Sequence, residues 1–563
     1  MEKETFKDTK ETKNKTFSGI CEKGKEIVQK KPRIFLLISG ILAGLTLLFP
    51  VLGFLEWIVL IPAGIAVLLR ASDKKIKLKT LYVDGVILFY SLYATCFHWF
   101  VALYPLEFIP GMSKFGAVVV VILGWFGLSL LQALISGFAL VIIGVIFRSR
   151  VCEKAEILKP FALAGIWVIF EWFQTVGWWG VPWARLAIGQ TFYLFGLQNA
   201  SILGSYFVTF VITLVNFILA FAVIHPPKIK FGVALALSVI LFQYCSGAFI
   251  WVLNDTESGE KIRVACIQGN VSSNQQWDAD TLETSLQNYS KYTQSAAKEG
   301  AELVIWPETA FPYRVDSDYF SYYSDEFAKL AKDNGIYLLV GGYSTGKNSE
   351  LLNSLICYKP NGEVHDTVYS KRHLVPFGEY TPLKTLIVTL LPPLAELMLT
   401  SEEIQPGEGA KIIELDNGVS VGGLICFDSI YEELTLESVR GGADIFCLST
   451  NDSWFRDSLA IYMHNAQAQI RAVESGKYIA RAANTGISTV INSRGEVVDE
   501  LPPLVGGIIV RDIYANEGRT VGSVIGNTFV YVIMAGFVAI FVADFVLKKS
   551  KKVLTKQCFR DKI

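Results

Sequence analysis

Side chains able to carry acyl chemistry are gathered in three short stretches: Trp306-Pro307-Glu308-Thr309-Ala310, Lys371-Arg372-His373-Leu374-Val375-Pro376-Phe377-Gly378-Glu379 and Leu424-Ile425-Cys426-Phe427-Asp428. Each sets a reactive group just after an apolar run, and together they supply a carboxylate, an ammonium and a thiol. A cysteine attacks an ester or amide carbonyl only as the thiolate, so it needs a base or a positive field beside it. Glu308 could be that base. Attack then places negative charge on the former carbonyl oxygen, which a lysine ammonium and the backbone N–H after the nucleophile can stabilise; Lys371 and the Phe427 amide fit these roles. Glu379 and Asp428 would hold the lysine in place and tune its field, since an unpaired buried ammonium tends to lose its proton. Taken singly, each residue has a plain packing explanation. Strand-borne cysteines are commonly small buried hydrophobes, and Cys266, Cys357 and Cys447 are read that way; Glu308 could cap a helix, and Lys371 with Arg372 could be a solvated loop. The ordered set carries the chemical reading.

Such residues must be positioned by a folded domain, and the pattern between Lys261 and Tyr514 supplies one. Short β-rich runs at Ile262–Gln268, Leu303–Trp306, Tyr337–Gly341, Val419–Cys426, Ile445–Ser449 and Thr489–Asn492 alternate with amphipathic helical patterns at Thr281–Glu299, Phe320–Asn334, Ile430–Arg440 and Leu459–Ser475. Gly300, Gly335, Gly441 and Gly476 follow the helices, where the chain is expected to turn left-handed. This is an α/β domain of about 260 residues, large enough for its own core.

The rest of the chain is membrane-like. Of 563 residues 52% are hydrophobic and only 18% charged, low for a soluble enzyme of this length. Net charge is -1, with lysines crowded at the two ends. The nine cysteines form no Cys-x-x-Cys pair and no dense framework, which argues against zinc ribbons and disulfide scaffolds. Apolar runs long enough to span the bilayer begin near Ile34, Phe54, Leu81, Phe115, Phe161, Leu194 and Phe231, and an eighth covers Ser523 to Leu547. The Phe115 to Phe147 run is overlong and is expected to tilt or to bend at Gly124, Gly127 or Gly137.

Basic residues between spans resist translocation. The amino terminus, Arg70 to Lys79, Arg148 to Lys159, His225 to Lys230 and the carboxyl tail are all basic and fall on one side, assigned to the cytoplasm. The expected organisation is a basic cytoplasmic terminus (1–33), a membrane domain of seven transmembrane helices (34–254), an extracytoplasmic catalytic domain (255–520), a last transmembrane helix (521–547) and a basic tail (548–563). Ionisable residues inside apolar spans are costly and often functional, which singles out Asp84, His98 and Glu171; the string Trp167 to Trp183, followed by Arg185, could shape a lipid entry.

The order Glu, Lys, Cys resembles the nitrilase superfamily. Longer strings narrow it: Trp306-Pro-Glu-Thr-Ala310, His373-Leu-Val-Pro-Phe-Gly-Glu-Tyr-Thr-Pro382, Ile425-Cys-Phe-Asp428 and Asn451-Asp-Ser-Trp-Phe455 look like the signatures of the apolipoprotein N-acyltransferase family, and the resemblance covers essentially the whole chain. It implies a membrane bundle of about eight helices carrying a nitrilase-like αββα sandwich. It also implies Glu308 as general base, Lys371 as oxyanion stabiliser, Cys426 as nucleophile and Glu379 as a further essential acid. Phe427 and Asp428 stand where the family often has tyrosine and glutamate. Trp277 matches a tryptophan near the lipid entrance, Asn353 an asparagine close to the site, and Trp454 belongs to the same neighbourhood; these three are the substrate-binding candidates.

The reaction so implied is ping-pong. A phospholipid donates an acyl chain to Cys426 as a thioester, and the amino-terminal amine of a diacylglyceryl-apolipoprotein accepts it. No metal, organic cofactor or nucleic acid is called for, and nothing demands a partner subunit, so a monomer is expected in the cytoplasmic membrane. Two other readings stay open at this level: a membrane-tethered amidase or hydrolase of the same superfamily, in which water resolves the acyl-enzyme, and a non-catalytic transporter or receptor with a soluble ectodomain.

Overall fold

The computed structural model describes residues 19, 22–106, 111–272, 279–390 and 402–560. Its first half is helical because apolar side chains recur without interruption. The helices are α1 (Pro32–Leu48), α2 (Ile61–Ser72), α3 (Leu78–Cys96), α4 (Lys114–Ser136), α5 (Phe138–Phe147), α6 (Leu158–Phe173), α7 (Ser205–Ile224) and α8 (Ile229–Leu253). Among the described residues six helical runs are long and apolar enough to cross a membrane: Pro50–Ser72, Leu78–Leu103, Lys114–Phe147, Ser205–Ile224, Pro226–Leu253 and Thr528–Lys549. Helix α1 adds a seventh only together with the bent helix Glu22–Lys30 before it, and α6 has just 16 residues.

The overlong run breaks at Gly137, which lies against Gly85 of α3: a Cβ on Gly85 would come within 2.6 Å of the Gly137 carbonyl oxygen, so the crossing requires a residue without a side chain. The run beginning at Leu194 opens instead with two short helices, Leu194–Leu197 and Ala200–Leu203, and the spanning helix starts at Ser205, after Gly204 at φ +78°. Helix α8 and the last helix present rows of exposed apolar side chains, among them Phe231, Leu241, Phe249, Val532 and Phe545. Such surfaces are stable in hydrocarbon rather than in water.

The second half is built on two sheets. One holds β1 (Glu260–Gln268), β2 (Leu303–Ile305), β3 (Phe311–Arg314), β4 (Tyr337–Thr345), β5 (Leu351–Tyr358), β6 (Tyr369–Ser370) and β13 (Gly507–Ala515), in the order β13-β1-β2-β4-β5-β6 with β3 paired to β4. The other holds β7 (Ile412–Glu414), β8 (Ser420–Ile425), β9 (Ile445–Thr450), β10 (Tyr478–Ala483), β11 (Ser488–Ile491) and β12 (Val497–Leu501), in the order β12-β11-β10-β9-β8-β7. Side chains alternate between faces. Leu339 of β4 enters the core between the sheets with Val264, Cys266, Cys357, Val421 and Cys447, while Leu338 and Val340 face outward onto helices. Buried on both sides, β4 and β9 read as near-continuous apolar runs. Cys266, Cys357 and Cys447 are fully buried there as small apolar residues.

Helices α9 (Ala279–Lys298) and α10 (Ser321–Asn334) cover the outer face of the first sheet. On the second sheet α11 (Glu432–Arg440) and α12 (Leu459–Ser475) do the same, but their apolar residues Leu434, Met463, Ile470 and Val473 belong to one core with Ile188, Leu197 and Val208 of the membrane half. The sandwich therefore sits with one helical layer pressed onto the bundle. Its last strand, β13, leads to α13 (Thr528–Arg560). Gly300, Gly335 and Gly476 end their helices at φ +85°, +64° and +68°. Gly441 departs from expectation: it stays right-handed at φ -73°, and the left-handed position passes to Gly442 at φ +103°.

Candidate active site

Glu308, Lys371 and Cys426 lie just beyond β2, β6 and β8, so strands distant in sequence deliver all three to one end of the sandwich. The turn carrying Glu308 rests on β4, where a Cβ on Gly341 would stand 2.2 Å from the Pro307 carbonyl oxygen; only glycine permits that approach.

The carboxylate of Glu308 accepts three hydrogen bonds and keeps a free acceptor site on Oε2. Its Oε1 accepts from Lys371 Nζ at 2.9 Å and Asn353 Nδ2 at 2.8 Å, and its Oε2 accepts the Asn451 backbone N–H at 2.9 Å. Lys371 also reaches a Glu379 oxygen at 3.0 Å, and Asn353 donates to Glu379 at 3.1 Å. Glu379 is fixed in turn by the Val375 N–H at 2.8 Å. These groups are all buried. Burial alone would strip the proton from Lys371, but the carboxylates of Glu308 and Glu379 outweigh it and hold the ammonium well above its ordinary pKa. For Glu379 burial acts the other way and raises the pKa, partly offset by Lys371.

Cys426 is half-buried and adopts φ +49° in the turn that follows β8. A non-glycine residue there costs about 1–3 kcal/mol and persists only when its surroundings impose it. The turn puts the Phe427 amide in the first turn of the 3-10 helix Cys426–Ile430, where N–H groups lack partners within the helix. Burial pushes the Cys426 thiol up, the Glu308 carboxylate pushes it further, and Lys371 pulls the other way. The resting thiol is therefore protonated, and a base must take its proton as it attacks.

Asp428 does not touch the ammonium. Its carboxylate accepts the Tyr369 hydroxyl at 2.8 Å, the Ile425 N–H at 3.1 Å, the His373 N–H at 2.8 Å and the Arg372 N–H at 3.2 Å, and so clamps the nucleophile turn to the lysine loop. It reaches Lys371 only through its field. Asn353 bridges the two acids from within. Trp454 is half-buried on the turn Ser453–Phe455, which is seated on the membrane half through Phe455 against Trp99 and Trp183, ring centroids 4.8 and 6.2 Å apart. Trp277 lies outside the described residues.

In the membrane half Asp84 is paired with Arg33 at 3.0 Å and Arg70 at 2.7 Å, His98 Nδ1 lies 3.0 Å from the Thr95 carbonyl, and Glu171 accepts the Leu186 N–H at 2.8 Å. Asp84 and Glu171 thereby join separate segments, while the His98 contact is local to its own turn. Sequence reasoning passed over Glu56, buried and bound by Gln190 at 2.7 Å, although a glutamate within an apolar run is itself a signal. It also passed over a buried chain behind the nucleophile, Asp452, His464 and Arg481, of which only Asp452 fell inside a string singled out beforehand.

Comparison with known proteins agrees with this architecture. Residues 263–521 match the carbon-nitrogen hydrolase family model. The molecule is a carbon-nitrogen hydrolase domain carried on membrane-spanning helices. Residues 39–218 match the model of the apolipoprotein N-acyltransferase N-terminal domain. Curated proteins named apolipoprotein N-acyltransferase are similar over most of their length: one from Geobacter metallireducens is 29% identical over 521 residues, covering 91% of this chain and 95% of that protein, and one from Gloeobacter violaceus is 27% identical, covering 85% and 87%. Solved structures similar to the sandwich include an amidase from Nesterenkonia sp. (20% identity, 46% of this chain and 91% of that one, TM-score 0.35) and Nit3 of Saccharomyces cerevisiae, a nitrilase-superfamily member (22%, 47% and 93%, TM-score 0.35). Over most of its length the chain is similar to the apolipoprotein N-acyltransferase family.

Proposed function

We propose that this protein transfers a fatty acyl chain from a phospholipid to the amino-terminal amine of the diacylglyceryl-cysteine of apolipoproteins, through a thioester on Cys426. The observation that carries the reading is the 2.9 Å contact between Lys371 and Glu308 beside a half-buried, left-handed cysteine.

In the first half-reaction the Cys426 proton passes to Glu308 as sulfur bonds to the ester carbonyl carbon. Lys371 and the Phe427 N–H carry the resulting oxyanion. Collapse breaks the ester C–O bond, the leaving oxygen takes the proton from Glu308, and a lysophospholipid departs. In the second, the acceptor amine attacks the thioester and yields a proton to Glu308; the C–S bond breaks, and the sulfur recovers that proton. Thiolate suits both roles, being a good nucleophile and a ready leaving group. Glu379, Asn353 and Asp428 hold these groups in register, and Trp277 and Trp454 are assigned to the substrates.

Both substrates are lipids, which gives the docking of α11 and α12 on the bundle a purpose: the thioester forms beside hydrocarbon and away from competing water. The basic loops favour a cytoplasmic-membrane protein whose sandwich faces outward, with 255–520 as the catalytic domain. The test is mass analysis of lipoprotein amino termini in cells carrying wild type or Cys426→Ala. The reading requires N-acylation to vanish in the variant; unchanged N-acylation would exclude it, and free fatty acid in place of N-acyl product would make the protein a hydrolase.

A further inference from the structure

The left-handed turn at Cys426 needs something to impose it, and the structure shows what does. The Cys426 carbonyl oxygen, freed from the sheet by the turn, accepts the Ser429 hydroxyl at 2.8 Å and lies 3.1 Å from His464 Nε2. His464 Nδ1 stands 2.9 Å from Asp452 Oδ1. Asp452 Oδ2 accepts from Arg481 at 2.5 Å, and Arg481 Nε donates to the Ile487 carbonyl at 3.1 Å. His464, Asp452 and Arg481 are all buried to within 1% of completely. The chain is enclosed further by Gly486, where a Cβ would meet Asp452 Oδ2 at 2.3 Å, and by the Trp183 ring 5.8 Å from His464. It begins on β10, crosses to α12 and ends beneath the nucleophile.

We infer that His464, oriented by Asp452 and Arg481, is a positioning residue that fixes the Cys426 carbonyl and thereby aims the thiol and the Phe427 amide at the reacting carbon. Nδ1 lies 2.9 Å from Asp452 Oδ1 and 3.3 Å from Arg481 NH2. Nε2 faces the Cys426 carbonyl, which can only accept, so a proton on Nε2 makes that contact a hydrogen bond; the Ser429 hydroxyl lies 3.0 Å away. Arg481 keeps Asp452 ionised: burial would raise its pKa, but Arg481 and His464 draw it down to about 2. The side chain never reaches substrate; it acts through the backbone of Cys426.

The inference deepens the acyl-transfer reading, so its test needs an arm that does not depend on lipid. Full-length protein in detergent is treated with iodoacetamide, and Cys426 alkylation is followed by peptide mass; a second arm follows acyl-adduct formation with a defined diacyl phospholipid. Rates are expressed per folded molecule from thermal unfolding. His464→Ala is expected to lower both rates at least tenfold, the lipid rate through kcat with KM little changed, and His464→Gln, which keeps a donor, to recover most of the loss. Ser429→Ala, which removes the other donor to the same carbonyl, is expected to lower both rates several-fold and serves where His464→Ala does not fold. Wild-type alkylation and acylation rates in both alanine variants would overturn the inference. If wild type forms no acyl adduct while alkylation still responds to His464, the acyl-transfer reading falls and the positioning role stands.

Discussion

Arg185, on the segment after α6, meets Glu432 at the start of α11 with 2.7 Å between NH2 and Oε2, across 247 residues of sequence and with both side chains almost completely buried. Tyr206 donates to the other Glu432 oxygen at 2.8 Å, and Glu474 of α12 accepts the Ser205 N–H at 2.7 Å. The sandwich is thus fastened to the membrane half by a buried ion pair and two hydrogen bonds that have no water to fall back on. Removing one partner of such a pair strands a charge and costs about 3–5 kcal/mol. Glu432→Ala should lower the thermal unfolding midpoint in detergent sharply, and replacing Arg185 and Glu432 together by apolar residues of similar volume should restore much of it.

The same joint predicts a pH dependence. Burial would raise the Glu432 carboxyl, but Arg185 and Arg471 hold it at about 2, below its unfolded value of 4.5. The native state therefore keeps the charged form at acidities where the unfolded chain would be protonated. Its contribution is complete above pH 4.5 and lost as pH falls towards 2. Unfolding midpoints measured through that window should fall in wild type, and a Glu432→Gln variant should lack this part of the slope.

At the catalytic cluster the carboxylate and the ammonium act on the thiol in opposite senses. Glu308 raises the Cys426 pKa and Lys371 lowers it. In Glu308→Gln the pH midpoint for iodoacetamide alkylation of Cys426 should move down, even though acyl transfer is lost with the base. In Lys371→Met it should move up, with acyl-enzyme formation reduced about 10²–10³-fold for want of an oxyanion donor. A shift of the same sign in both variants would contradict the arrangement.

Asp428 and Asn353 predict a different kinetic signature. Asp428 ties the nucleophile turn to the lysine loop, and Asn353 ties Glu308 to Glu379. The partners seen for both are protein groups, so Asp428→Ala and Asn353→Ala should lower the rate of acyl-enzyme formation about 10–10²-fold, in keeping with a small displacement of reacting groups, while leaving KM for phospholipid nearly constant. Phe427→Tyr should stay within a few-fold of wild type.

The strands that present Glu308 and Cys426 were legible because apolar runs ending in a reactive residue are local signals, and the strings around them are long; β6, which presents Lys371, has only two residues and no such run. The polar chain behind Cys426 was not: Asp452, His464 and Arg481 lie 26, 38 and 55 positions beyond it, and only folding makes them neighbours. Strand β5 carries Asn353 and Ser354 inside an apolar run, which blurs its period, and β10 contains Arg481, a charge that reads as surface until its Asp452 partner is seen. In the membrane half composition located the apolar runs but not their ends: at Leu194 the backbone needed two short helices and Gly204 before the long one could begin.

The central claim is that Cys426 holds the acyl chain between the two lipids. Intact-mass measurement of the purified full-length protein, mixed with a phospholipid of a single acyl type and then with a diacylglyceryl-cysteine peptide, tests it directly. The expected result is an adduct of one acyl group that is removed by hydroxylamine, absent in Cys426→Ala, and discharged as N-acyl peptide when the acceptor is added. An N-acyl peptide made by Cys426→Ala, or an adduct that water rather than the amine discharges, would contradict it.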